Sequence, residues 1–88
     1  MAYRLEISKS AQKDLAKLDK PVLAAIRERL ERLAETADEI THLPLKGPFQ
    51  GLYKLRVYGK YRVVYDLQRQ ERRIVVVRVG NRSDVYRE

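Results

Sequence analysis

Eighty-eight residues with no cysteine and one histidine make a single small domain, 1–88, that excludes disulfides, thiolate ligands and the usual zinc sets, so neither a metal nor another cofactor is expected. The formal charge of +7 is unevenly placed, because residues 1–44 carry eight Lys/Arg and eight Asp/Glu while residues 45–88 carry eleven against four. No stretch approaches the ~20 apolar residues of a membrane span and the amino terminus lacks a signal pattern, so the chain reads as soluble and cytoplasmic, with a polyanion such as nucleic acid as the expected partner of its cationic half.

Tyr3, Leu5 and Ile7 alternate with Arg4 and Glu6, the period of a half-buried strand. Ser8 or Ser10 can cap a helix whose apolar side is Leu15 and Leu18, and Asp19-Lys20-Pro21 ends it. Proline is tolerated in the first turn of the next helix, where Val22, Ile26, Leu30, Leu33 and Ala37 recur at intervals of three and four. The two form a helical hairpin. Lys9, Lys13 and Lys17 repeat every four residues and read as a solvated face that could also reach nucleic acid. Residues 38–51 read as a loop because of Pro44, Gly47, Pro48 and Gly51. His42, within it, reads as an ordinary loop histidine.

Tyr53, Leu55 and Val57 alternate with Lys54 and Arg56, and Tyr61, Val63, Tyr65 and Leu67 alternate with Arg62, Val64 and Asp66, which gives two strands of a hairpin. The turn decides their chemistry, since a slip of one residue moves every side chain to the other face. A two-residue Gly59-Lys60 turn buries Arg62 among Tyr53, Leu55 and Val57. A three-residue Tyr58-Gly59-Lys60 turn pairs Val57 with Tyr61, gathers the apolar residues on one side, and sets Lys54, Arg56 and Arg62 on the other. Arg56 then faces Arg62. Like charges across a strand pair cost roughly 0.2–1 kcal/mol, so the conflict points to function.

Residues 74–79 form a β-branched run that reads as a central strand covered on both sides. Arg78 is its one charge, and it is placed with Lys46 and Arg56 among the RNA-binding residues. Arg82 and Tyr86 follow just beyond the strand. The order is β-α-α-β-β-β, an α+β fold with an antiparallel sheet packed against the N-terminal helical hairpin. Arg69, Arg72 and Arg73 cluster at the last hairpin tip, either as a solubilising turn or as a grip on nucleic-acid phosphates.

The Tyr-Arg-Leu-Glu-Ile opening, Leu45-Lys46-Gly47, Tyr53-Lys54-Leu55-Arg56, Tyr61-Arg62-Val63-Val64-Tyr65 and the segment from Val79-Gly80-Asn81-Arg82 through Ser83-Asp84-Val85-Tyr86 occur in an order that covers essentially the whole chain. Together they resemble the RelE branch of the RelE/ParE toxin superfamily of toxin–antitoxin pairs. The resemblance implies an endoribonuclease that enters the ribosomal A site and cuts the messenger RNA codon held there. It places catalytic residues at Lys54, Arg62, Arg82 and Tyr86, and a nucleic-acid contact at Lys46. Arg56 stands where the family commonly has lysine, and arginine cannot deprotonate near neutral pH. It also implies a RelB-like antitoxin, with an acidic or amphipathic flexible segment, as partner.

Cationic side chains suit metal-free RNA cleavage, which needs the 2′-hydroxyl deprotonated, the phosphorane stabilised and the leaving 5′-oxygen protonated. Arg62 and Arg82 would contact non-bridging phosphate oxygens through paired donors. Lys54 is the candidate general base, because neighbouring cations disfavour its charged form. Tyr86 would stack on a base or act in proton transfer. Two rivals share the fold or the charge: a ParE-like inhibitor of DNA gyrase that cuts nothing, and a noncatalytic RNA-binding module.

Overall fold

The computed structural model describes residues 2–85; Tyr86 lies outside the described residues. Leu5 and Ile7 face inward from β1 (Arg4–Ile7), and the chain then turns at Ser8 into α1 (Lys9–Ala16). Ser8 is the cap. Its backbone is extended and its hydroxyl oxygen accepts from the Ala11 N–H at 3.1 Å, satisfying a donor that the first helical turn leaves open. A second helix, α2 (Lys20–Thr36), carries Pro21 in its first turn and buries Ile26, Leu30, Leu33 and Ala34 along one stripe. Tyr3 joins the two ends of this unit: its N–H donates to the Ala34 carbonyl at 2.9 Å and its hydroxyl to Asp38 at 2.7 Å.

Five strands form one sheet in the order β1-β5-β4-β3-β2. The segment read as a loop contains the shortest of them, β2 (Leu43–Pro44), whose two residues pair with β3 (Tyr53–Val57) at the sheet edge, where proline is tolerated. A single 3₁₀ turn, Gly47–Phe49, separates β2 from β3. The last three strands, β3, β4 (Tyr61–Gln68) and β5 (Arg73–Asn81), are antiparallel as the short connections require. The first strand departs from an all-antiparallel sheet, because β1 lies parallel to β5 in the register Arg4↔Arg73 to Ile7↔Val76. The helices separate β1 from the rest of the chain, so no hairpin fixes its direction, and it fills the free side of β5.

One face of the sheet packs on the helices. Val57, Val63, Tyr65, Ile74, Val76 and Val79 meet Ala11, Ile26, Leu30 and Leu33 there, and all are buried. On the opposite face a short helix, α3 (Arg82–Val85), packs against β4 and β5, and Val64 and Val85 are buried on that side. The cover over β5 is therefore uneven. Val75 and Val77 are half-buried, so the run at 74–79 is central in the sheet but sealed fully only on its helix face.

His42 is buried, not a free loop residue. Its Nε2–H donates to the carbonyl of Ala37, the C-cap of α2, at 2.8 Å, which leaves Nδ1 to accept from the Tyr65 hydroxyl. The bond satisfies a carbonyl at the helix end and anchors the α2–β2 connection on β4. Burial, with Tyr53 close by, pushes the Tyr65 phenol up to about 12. A phenol raised above its unfolded value of about 10 contributes stability that is complete below pH 10 and is lost between pH 10 and 12. Removing the hydroxyl strands a buried His42 nitrogen, so Tyr65→Phe should unfold more easily than wild type at neutral pH. Urea titrations should show that difference fall and then reverse as pH rises from 10 towards 12.

Candidate nucleic-acid interface

The turn between β3 and β4 sets the site. Val57 pairs with Tyr61, so Tyr58, Gly59 and Lys60 form the three-residue connection expected from the pattern. Tyr58 and Gly59 both take left-handed backbone, with φ of 55° and 73°. In this register Lys54, Arg56 and Arg62 leave the core side together, and Arg56 stands directly opposite Arg62. Lys54 is the diagonal neighbour of Arg62, a separation of about 7–8 Å between backbones in an antiparallel pair.

The next strand continues the face through an irregularity. Val64 pairs with Arg78 and Tyr65 with Val76, leaving Val77 as an extra residue on β5. A bulge of this kind reverses the alternation of side chains. Ile74 and Val76 face the helices before it, and Val79 does so after it. Without the bulge, Arg78 would share the face of Ile74 and Val76 and enter the core. With it, Arg78 and Gly80 lie on the side of Arg62, and Gly80 pairs with Arg62. The clue was present in the spacing: a charge at an even position of a run whose even positions are buried needs such a shift.

Asp14 of α1 secures the shifted strand. One carboxylate oxygen accepts from Arg78 Nε at 2.8 Å and from the Val79 N–H at 2.9 Å. The Ser8 hydroxyl donates to the carbonyl of Val77, the bulged residue, at 3.0 Å. Arg78 therefore has a structural partner, and this bond holds its guanidinium firmly protonated. Sequence reading passed over Asp14, whose only outward signal is a carboxylate set among the lysines of α1.

The other cations differ in what faces them. Arg72 and Arg69 lie 3.0 and 3.9 Å from Asp38, and Arg73 lies 3.4 Å from Glu6, so the cluster at the β4–β5 tip is compensated by acids. Hydrogen bonds from Tyr3 and Arg72 hold the Asp38 carboxyl below its usual range. Among the described residues, no carboxylate pairs with Lys46, Lys54, Arg56, Arg62 or Arg82. Arg62 is only 7% exposed, and its Nη1 donates to the carbonyls of Gly59 at 2.9 Å and Tyr61 at 3.0 Å. The turn thus braces the guanidinium it orients. Arg56 is exposed, and its carbonyl accepts from Arg29 of α2 at 3.1 Å.

Arg82 opens α3, and its backbone N–H donates to the Lys60 carbonyl at 2.8 Å, which pins the start of the helix to the hairpin turn. Arg82 consequently sits at the same end of the sheet as Arg56 and Arg62. Lys46 is exposed in the stretch before the 3₁₀ turn, across β2 and β3 from this centre. Lys9, Lys13 and Lys17 are all exposed on α1. Among the described residues, no helix is long and apolar enough to cross a membrane.

Asp14→Ala should lower the unfolding free energy by about 1–3 kcal/mol, because it strands the Val79 N–H and the Arg78 guanidinium together. Asp14→Asn, which keeps an acceptor, should lose less. Urea titration of both variants measures the difference.

Residues 5–86 match the family of the ParE toxin of the type II toxin–antitoxin system parDE. The chain is 30% identical over 87 residues to toxin RelG of Mycobacterium tuberculosis, covering 99% of each chain. It is 29% identical over 85 residues to toxin RelE of the same organism, covering 97% of this chain and 87% of that one. The fold is similar to the toxin–antitoxin complex RelBE2 of M. tuberculosis, with a TM-score of 0.80 at 28% identity over 93% of this chain and 100% of the other.

Proposed function

From a chain that belongs to the RelE/ParE family of type II toxin–antitoxin toxins, we propose an endoribonuclease that cuts messenger RNA in the ribosomal A site. The observation that carries this reading is a set of cations with no acid partner among the described residues at one end of the sheet, Arg56 opposite Arg62 with Lys54 diagonal to it and Arg82 pinned to the adjoining turn. A scissile phosphate supplies the negative charge that this surface lacks. Arg62 and Arg82 donate to its non-bridging oxygens and stabilise the phosphorane. Lys54 takes the proton of the 2′-hydroxyl, the 2′-oxygen attacks phosphorus to form a 2′,3′-cyclic phosphate, and the P–O5′ bond breaks as the 5′-oxygen takes a proton from water. Arg56, fixed as a cation, holds the neighbouring backbone and does not act as a base. Lys46 and Arg78 contribute further positive charge along the strand, Arg78 as the residue already steadied by Asp14. Tyr86, the fourth catalytic residue of this reading, stacks on a base or moves a proton.

No histidine or carboxylate stands among these groups, so the ribosome supplies much of the rate by holding the codon in line for attack. The natural inhibitor is a RelB-like antitoxin whose acidic segment covers the cationic face. The RelBE2 neighbour is itself a toxin–antitoxin complex, which supports a partner of that kind. A second reading, a ParE-like inhibitor of DNA gyrase that cleaves nothing, draws on the description of the matched family. The unpaired cationic face favours the nuclease.

Toeprinting on ribosomes programmed with a defined message decides between them. The expected result is a new RNA end inside the A-site codon, little cutting of free message, and undisturbed gyrase supercoiling. Arg62→Ala should slow single-turnover cleavage by about 10²–10³-fold, and Lys54→Arg by about 10²-fold or more. Intact codons together with blocked supercoiling would establish the gyrase reading instead.

A further inference from the structure

We propose that the cleft between α2 and the β3–β4 hairpin tip is a nucleobase-binding site that takes an unstacked base of single-stranded RNA against the ring of Tyr58. The cleft has a volume of about 270 Å³ and is lined by Ala25, Glu28, Arg29, Val57 and Tyr58. Val57 is buried and Ala25 packs against the core, which makes the lining apolar at that point. Tyr58 contributes an aromatic ring that is 66% exposed. Glu28 and Arg29 add an acceptor and a donor, the two kinds of group that the edge of a base requires.

Tyr58 has no folding role that accounts for it. Its backbone φ of 55° lies where bulky side chains are rarely found, and its ring stays largely in water. A glycine would relieve the backbone without emptying the core. The surroundings identify the ligand. Arg29 uses one N–H on the Arg56 carbonyl, at 3.1 Å, so the cleft lies on the helix side of the strand whose other side carries the cationic face, at the tip where the two sides meet. Lys60 lies on the other side of the tip, with its ammonium 5.6 Å from the centre of the Tyr61 ring. Glu28 is the single carboxylate of the lining, and its pair with Arg32, at 3.7 Å, is exposed on both sides and readily exchanged. Proteins hold single strands with cations that follow the phosphates and rings that stack on bases, and a strand rounding this hairpin tip meets both. The inference rests on the RNA-directed reading of the neighbouring face and assigns it a second contact, to a base away from the scissile linkage.

Fluorescence anisotropy at low salt, with a short single-stranded RNA and a matched oligomer lacking bases, tests the site apart from cleavage. The intact protein should bind the base-bearing oligomer about 5–10-fold more tightly. Tyr58→Gly should erase that preference while raising the melting temperature, and Tyr58→Phe should retain it. Lys54→Arg, slow in cleavage, should also retain it. Equal binding of the two oligomers by the wild type, or a preference that survives Tyr58→Gly, would overturn the proposal. So would a Tyr58→Gly protein whose antitoxin binding weakens while its RNA binding is unchanged, since the cleft would then serve a protein. A base preference found in a protein that cuts no codon on the ribosome would leave the cleft standing and remove the nuclease.

Discussion

The pairing of Val57 with Tyr61 is the constraint from which the rest of the arrangement follows. A connection of Tyr58, Gly59 and Lys60 fixes the register of β3 on β4, and register fixes which side of the sheet each residue occupies. Tyr53, Leu55, Val57, Tyr61, Val63 and Tyr65 thereby turn to the helices and join the core, buried fully or in part. The same choice sets the guanidinium-bearing strands of Arg56 and Arg62 face to face. The turn then serves the site twice more, since its Gly59 carbonyl holds Arg62 and its Lys60 carbonyl holds the first residue of α3. Core and cationic surface are two consequences of one turn.

Charge is handled differently in different parts of the molecule. At the β4–β5 tip, Asp38 and Glu6 answer Arg69, Arg72 and Arg73. At the bulge, Asp14 answers Arg78 and closes a backbone donor on β5. These pairs stabilise the fold locally, and the exposed ones contribute little each. The face of Lys54, Arg56 and Arg62 carries no such compensation among the described residues. A sheet that set acids beside Arg73 and Arg78 but left these three unanswered has a surface suited to a polyanion.

The alternation of Tyr53 through Leu67 made the β3–β4 hairpin legible, because only one turn length kept Arg62 out of the core. The helical stripe of Ile26, Leu30 and Leu33 was legible for the same reason: period and burial agreed. Chemistry alone offered Ser8 or Ser10 as the cap, and the fold chose Ser8. Other features depend on tertiary partners that local pattern does not encode. The parallel placement of β1 is set by a free edge formed some seventy residues later, with Leu5 beside Ile74. The bulge at Val77 hides in a run of β-branched residues that suits either face. His42 gave no sign of its contact with Tyr65, since a buried histidine and a loop histidine look alike until the chain folds. Tyr58 looked like one more tyrosine of the hairpin, and its exposure emerged only with the turn geometry.

The central claim is that the hairpin holds Arg56 against Arg62 at the expense of stability. Urea unfolding of Arg56→Gln beside wild type, at low and at high salt, tests it most directly. Removing one of two facing like charges should raise the unfolding free energy by about 0.2–1 kcal/mol at low salt, and screening should close that gap at high salt. A variant less stable than wild type, or one whose stability relative to wild type does not depend on salt, would contradict the account.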